Sequence, residues 1–300
     1  MLDDAKEGGL MNALGVLLID VTADREAGRP KAFQANRSAD RDRIVQERSM
    51  NARIVVIGGT GLIGAKVVSR LKARGFDAIA ASPQTGVNAV TGEGLAKALR
   101  GAAVVVDVVN SPSFEAGAVK AFFQATTSNL ARYARAAGVG KYVALSIVGI
   151  DRLVENPYFR AKLLQERLIQ ESRIPFTIVR ATQFFEFVET IADSATNGDL
   201  VRIPPVSFQP MAADDVAAAV SRAAIDAPAN GVVEVAGPER FRFDELICHS
   251  LRARGDRRRV VADERAAYFG GVPRENSLVP LGEARLGSIR FQDWMSPVGA

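Results

Sequence analysis

Apolar runs and one-sided apolar stripes alternate along the chain from residue 53 onward. Arg53-Ile-Val-Val-Ile57 carries four β-branched residues and predicts a strand. The next stretch sets Ile63, Val67, Val68 and Leu71 on one helical face and stops at Gly75. Asp77–Ala81 predicts a second strand and Leu95–Leu99 a short helix. Ala103–Val109, apolar apart from Asp107, predicts a strand, and Lys120–Ala137 a helix ended by Gly138. Lys141–Ser146, Tyr158–Ser172 and Pro175–Arg180 continue as strand, helix and strand. Strands apolar on both faces, alternating with helices, specify a parallel sheet covered on both sides. We therefore expect an α/β fold with a doubly wound parallel sheet over residues 50–180. A smaller α+β lobe over 181–300 should include a strand at Gly231–Gly237 and a helix at Phe243–Leu251.

Residues 1–49 do not share this pattern. They hold 8 Lys/Arg and 9 Asp/Glu, in blocks such as Asp40-Arg41-Asp42-Arg43. Their one apolar run, Leu14–Val21, is short and follows Asp3, Asp4 and Glu7, which argues against a secretory signal or a transit peptide. A poorly ordered leader, or a start assigned ahead of Met50, is expected here; a partner-binding arm is the alternative.

Composition removes other classes. One cysteine (Cys248) and one histidine (His249) exclude a disulfide framework and a multi-histidine or Cys-rich metal site. No apolar run approaches the ~18–20 residues needed to span a bilayer. The net charge of +4 suits acidic small molecules. The small Asp256–Arg259 cluster, with no helix-turn-helix signal, does not argue for nucleic acid. A cytoplasmic chain is expected, monomeric or homodimeric.

Gly58-Gly59-Thr60-Gly61-Leu62-Ile63-Gly64 joins the first strand to the first helix. Gly58 allows a sharp turn, Gly61 lets backbone approach a pyrophosphate, and Gly64 allows close helix packing. The helix N-terminus then offers free N–H groups to phosphate. Gly58, Thr60, Gly61, Leu62, Ile63 and Gly64 are the expected dinucleotide contacts. An NAD site usually ends its second strand in an acid, about 20 residues after the turn, that binds the ribose 2′-hydroxyl. Here that strand ends Ala80-Ala81-Ser82-Pro83-Gln84, and Asp77 stands at its beginning. NADP(H) is thus favoured over NAD(H), with Ser82, Gln84 and Thr85 as donors to a 2′-phosphate.

Ser146 closes the strand before the helix that carries Tyr158 and Lys162. Positions i and i+4 share a helical face. A tyrosine of pKa ~10 is a poor acid or base at neutral pH, and an adjacent ammonium would lower it. Lys162 can also hold a nicotinamide ribose, and Ser146 can orient a carbonyl or hydroxyl while Tyr158 moves the proton.

The chain resembles the short-chain dehydrogenase/reductase superfamily in its atypical, NmrA-like branch. The likeness rests on Gly58–Gly64, Asn129-Leu130, Ala137-Gly138-Val139, Val143–Ser146, Tyr158 with Lys162, Ile174–Arg180 and Gln209–Val216. It implies a Rossmann domain, a small C-terminal substrate lobe and catalytic roles for Ser146, Tyr158 and Lys162. It also implies a crevice-facing loop after the fourth strand, with Asn110 on the cofactor and Ser111 by the substrate. Asn88, ending a short third strand, would reach the adenine. Phe184 and Phe185, with Phe187, would line an apolar substrate pocket, although one of these rings is expected in the core. Asp215 would cap the next helix, and Trp294 and Met295 would pack the tail onto the lobe. One departure stands out: the superfamily's fourth active-site residue, an Asn, falls near Phe123, which cannot hold a relay water. These features favour an NADP(H)-dependent oxidoreductase acting on a small carbonyl or quinone, without metal. A dinucleotide sensor without turnover is the alternative. A nucleotide-sugar epimerase or dehydratase is disfavoured by the roughly 120 residues left after Arg180.

Overall fold

Alternate residues of the first strand face opposite ways: Ile54 and Val56 join one buried cluster, Val55 and Ile57 another. A strand buried on both faces needs helices on both. The computed structural model, which describes residues 52–296, supplies them. In chain order, β1 (Arg53–Ile57), α1 (Leu62–Ala73), β2 (Asp77–Ala81), α2 (Leu95–Ala98), β3 (Ala102–Asp107), α3 (Ala116–Ala136), β4 (Lys141–Ile147), α4 (Pro157–Glu171) and β5 (Phe176–Ala181) alternate. Then come α5 (Val188–Ser194), β6 (Thr196–Asn197), β7 (Leu200–Ile203), β8 (Ser207–Phe208), α6 (Ala213–Ile225), β9 (Gly231–Ala236), β10 (Phe241–Arg242), α7 (Phe243–Ala253), β11 (Arg259–Ala262), β12 (Arg285–Leu286) and α8 (Phe291–Met295).

The main sheet is parallel throughout, in the order β12-β9-β5-β4-β3-β1-β2. Helices α1 and α6 cover one face through Val67, Leu71, Val216 and Val220. Leu130 of α3 and Ile169 of α4 cover the other. This is the Rossmann-type α/β arrangement expected. A smaller layer forms beside it from the β11-β7-β6 sheet and the β10-β8 pair. Its core joins Phe185, Phe208, Phe243, Leu246 and Phe291, with Trp294 and Met295 packed against it.

Several expectations change. The sheet is not divided at residue 180: β9 pairs with β5, β12 with β9, and α6 packs on α1. The 181–300 segment therefore contributes to both layers. Helix α3 begins at Ala116 rather than Lys120, because the Glu115 carboxylate accepts from Gly117 N and Ala118 N. The short third strand expected to end at Asn88 does not form. The Asn88 side chain instead accepts from Val90 N and Thr91 N in a turn. Asp215 does not cap α6 but accepts from Ser288 N and Ile289 N, while Glu186 accepts from Ala213 N at that helix start. The leader and Met50 lie outside the described residues, of which no helix is long and apolar enough to cross a membrane.

Candidate functional site

The chain departs from β1 toward β2 on one side and toward β3 on the other. A parallel sheet opens a crevice at the carboxyl ends of such strands. A cavity of about 800 Å³ lies there, lined from the turn after β1, the loops after β2 and β3, the end of β4, α4 and the segment after β5.

At the glycine turn, Gly58 has φ +81°, a conformation that side chains resist. A Cβ on Gly64 would lie 2.1 Å from Gly58 O, whereas one on Gly61 would meet only Gly58 O, at 3.4 Å. Gly64 thus seats the helix beneath the turn and does not line the cavity, while Gly61 keeps space open above it. Helix α1 starts with no side-chain cap and no acid in its first turn, so its amides and dipole face the cavity uncompensated. This cradle fits the pyrophosphate of a dinucleotide, with Thr60, Leu62 and Ile63 around it.

At the end of β2, Thr60 Oγ1 and Ser82 Oγ both donate to Gln84 Oε1, each at 2.8 Å. The Gln84 amide nitrogen has no protein partner among the described residues. Asp77, at the start of the strand, pairs with Arg53 instead. Among the described residues, Lys162 is the one charged side chain lining the cavity, and no carboxylate lines it. Asn88 lines the same end of the cavity from its turn.

At the other end, the Tyr158 hydroxyl donates to Asn110 Oδ1 at 2.6 Å. Asn156 caps α4 by accepting from Tyr158 N and Phe159 N, which fixes the start of the helix that carries Tyr158 and Lys162. Lys162 Nζ donates to Leu145 O at 2.7 Å and to Gln165 Oε1. Gln165 in turn donates to the buried Asp107, which also accepts from Tyr142. The Phe123 ring lies 4.7 Å from Lys162 Nζ and meets the Tyr158 ring edge-on at 5.6 Å.

The expected lowering of the tyrosine pKa by this lysine does not occur. Burial pushes the Tyr158 phenol above its ordinary value. Burial also depresses the Lys162 ammonium to about 8, against the opposing pull of Asp107 and Glu166. Ser146 departs from expectation too. Its hydroxyl donates to Glu166 Oε1 at 2.6 Å, and Arg180 grips Glu166 with two bonds of 2.9 and 2.7 Å. Ser146 thus meets a ligand with lone pairs, not with a proton for a carbonyl.

Ser111 and Phe184 line the cavity as expected. Phe185 does not: it is buried against Phe291 and Trp294, with ring centroids 5.1 and 5.5 Å away. Phe187, expected at the pocket with them, does line the cavity. The sequence placed Phe114 on the crevice-facing loop without a role, and it did not point to Glu166, Arg180 or the cavity-lining Tyr268 and Phe269. Only a three-dimensional pairing marks them out. Among the described residues no His, Cys, Asp or Glu group could hold a metal.

A family model described as NAD(P)H-binding matches residues 58–227. Photosystem II assembly factor Ycf39 of Cyanophora paradoxa is 28% identical over 148 residues, 44% of this chain and 46% of that protein. The chain thus spans less than half the length of that relative. Among solved structures, Thermus thermophilus UDP-glucose 4-epimerase in complex with NAD is 18% identical, with a TM-score of 0.58 over 75% of this chain and 91% of that one. A dTDP-4-dehydrorhamnose reductase from Clostridium acetobutylicum is 16% identical, with a TM-score of 0.58 over 81% and 91%. At these identities the likeness is one of fold. With the family model matched over more than half of its length, on a parallel sheet whose first turn is a glycine cradle, this chain belongs to the NAD(P)H-binding family.

Proposed function

We propose that this protein is an NADP(H)-dependent oxidoreductase that reduces a small carbonyl or quinone. The observation that carries the reading is the Tyr158 hydroxyl, held by Asn110 in a cavity that shares its walls with the glycine turn. When bound, the nicotinamide would supply the hydride. Tyr158 supplies the proton to the carbonyl oxygen. Its raised pKa keeps the phenol protonated near neutral pH, which suits an acid and therefore the reducing direction. Asn110 is exposed at the cavity mouth, so solvent water reaches the phenolate there and returns its proton. Ser146, its proton committed to Glu166, accepts from the hydroxyl that reduction creates.

Preference for NADP(H) is supported by the lack of a carboxylate at the end of β2 and by the unpaired Gln84 amide nitrogen. A nucleotide-sugar diphosphate fits less well, because among the described residues no arginine lines the cavity. A second reading, a dinucleotide sensor without turnover, draws on Phe123, which replaces a relay water with a ring between Lys162 and Tyr158.

The test is NADPH consumption with a panel of carbonyls and quinones, beside NADPH and NADH titrations. Tyr158→Phe should abolish consumption and leave NADPH affinity nearly unchanged. Activity surviving that substitution would refute the tyrosine mechanism, and tighter NADH binding would refute the cofactor assignment. A wild-type chain that binds NADPH but turns over nothing would favour the sensor.

A further inference from the structure

Two stacked phenylalanine pairs line the substrate end of the cavity: Phe114 with Phe269, at 5.8 Å and 15°, and Phe184 with Phe187, at 5.5 Å and 25°. Phe114 also meets the Tyr158 ring at 5.6 Å. The first pair brings together residues distant in sequence, one after β3 and one after β11. Phe114 is 59% exposed, a large apolar surface left open at the cavity mouth.

Phe269 is held there by an unfavourable backbone. Tyr268 N donates to Gly271 O and Gly271 N to Tyr268 O, closing a two-residue hairpin turn. The central residues have φ +49° at Phe269 and +94° at Gly270. Both signs are positive, as in a type I′ turn, where Asn-Gly is the favoured pair. A phenylalanine at the first position is strained, and such strain concentrates at ligand sites. Of the non-glycine residues with positive φ among those described (Arg173, Asn230 and Phe269), only Phe269 lines the cavity.

We propose that Phe114 and the strained Phe269 form an aromatic wall beside Tyr158 that selects substrates bearing a flat conjugated ring. This deepens the oxidoreductase reading and rests on it. A planar ring covers the open face of Phe114 by stacking, whereas a puckered aliphatic carbonyl compound leaves most of that face in water. Among the described residues, the cavity has no carboxylate or arginine that would favour a strongly polar substrate instead.

The test uses the full 300-residue chain with oxidised NADP, so that no reduction occurs during binding. Equilibrium dialysis compares 2,3-dimethyl-1,4-naphthoquinone with cyclohexane-1,4-dione. The wild type should bind the naphthoquinone at least about tenfold more tightly. Phe114→Ala and Phe269→Asn should each weaken the naphthoquinone about tenfold and leave the dione and NADP affinities unchanged. Phe269→Asn should also unfold about 2–4 °C above Phe269→Ala, which loses the same ring contacts but lacks Asn's preference for the turn. Naphthoquinone affinity unchanged by Phe114→Ala, or no preference over the dione, overturns the proposal. A Tm for Phe269→Asn no higher than that of Phe269→Ala overturns its strain argument. Should the Asn variant fold poorly, Phe114→Ala, at an exposed position, still decides. The oxidoreductase reading is judged separately, by NADPH binding and by turnover in Tyr158→Phe, so failure of one is not failure of the other.

Discussion

The Ser146 hydroxyl gives its proton to Glu166 Oε1 across 2.6 Å. Behind it, Arg180 binds Glu166 with two bonds and Asp151 with one of 3.0 Å. In the register of the sheet, Ser146 stands opposite Arg180, and Arg180 opposite Glu234. A polar row therefore crosses three parallel strands next to the cavity, where an apolar row would be usual. The Arg180 guanidinium is held more basic than usual, chiefly by its hydrogen bonds to Glu166. Glu234 is pushed up by burial, against the opposing pull of Arg152 and Arg180.

Removing Glu166 should expose the cost of this arrangement. Both side chains of the pair are largely buried, at 13% and 5% exposure. Glu166→Ala leaves a buried guanidinium short of its main partner and should lower unfolding stability by about 3 kcal/mol. Urea unfolding checks this, and a loss under about 1 kcal/mol would mean that Asp151 alone suffices for Arg180.

The glycines of the first turn should separate folding from binding. A Gly64→Ala Cβ would sit 2.1 Å from Gly58 O, so the helix must move and the chain should be destabilised by several kcal/mol or fail to fold. Gly61 has φ −79° and ψ 179°, which alanine adopts freely, and its Cβ would meet little. Gly61→Ala should keep stability within about 1 kcal/mol yet weaken NADPH at least about tenfold. Thermal unfolding and NADPH titration of the two variants test this together.

Lys162 predicts a pH dependence. Burial lowers its pKa from 10.5 to about 8 in the folded chain. Between those values the unfolded chain binds more protons, so stability rises with pH across the window. Below about 8 the charged lysine is fully penalised. The change amounts to on the order of 3 kcal/mol between the two limits. Lys162→Met should flatten this part of the curve. Denaturation from pH 7 to 10.5 in both proteins measures the difference, and parallel curves would disprove it.

Much of the fold was legible because its signals are local. The β-branched run at Arg53–Ile57, the turn glycines and the helix stop at Gly75 lie within a few residues of what they specify. Tyr158 and Lys162 share a helical face through the i, i+4 spacing alone. The missing acid at the end of β2 was equally visible. Glu115 is local too: its carboxylate accepts from two amides just ahead of it and extends α3 by a turn, which the apolar pattern alone does not mark. Other features depended on distant partners. Among Phe184, Phe185 and Phe187, the seating of α8 decides that the middle ring is core.

By itself the sequence determined the alternation of strand and helix between Arg53 and Ala181, the dinucleotide turn and the residue types around it. These follow from short-range backbone preference and hydrophobic period. Only the tertiary structure decided the direction of each hydrogen bond and charge at the site. It turned Lys162 toward Leu145 and Gln165, gave the Ser146 proton to Glu166, and set Phe269 against Phe114. A donor's choice among acceptors, and a buried group's protonation, depend on which distant residues exclude water around it.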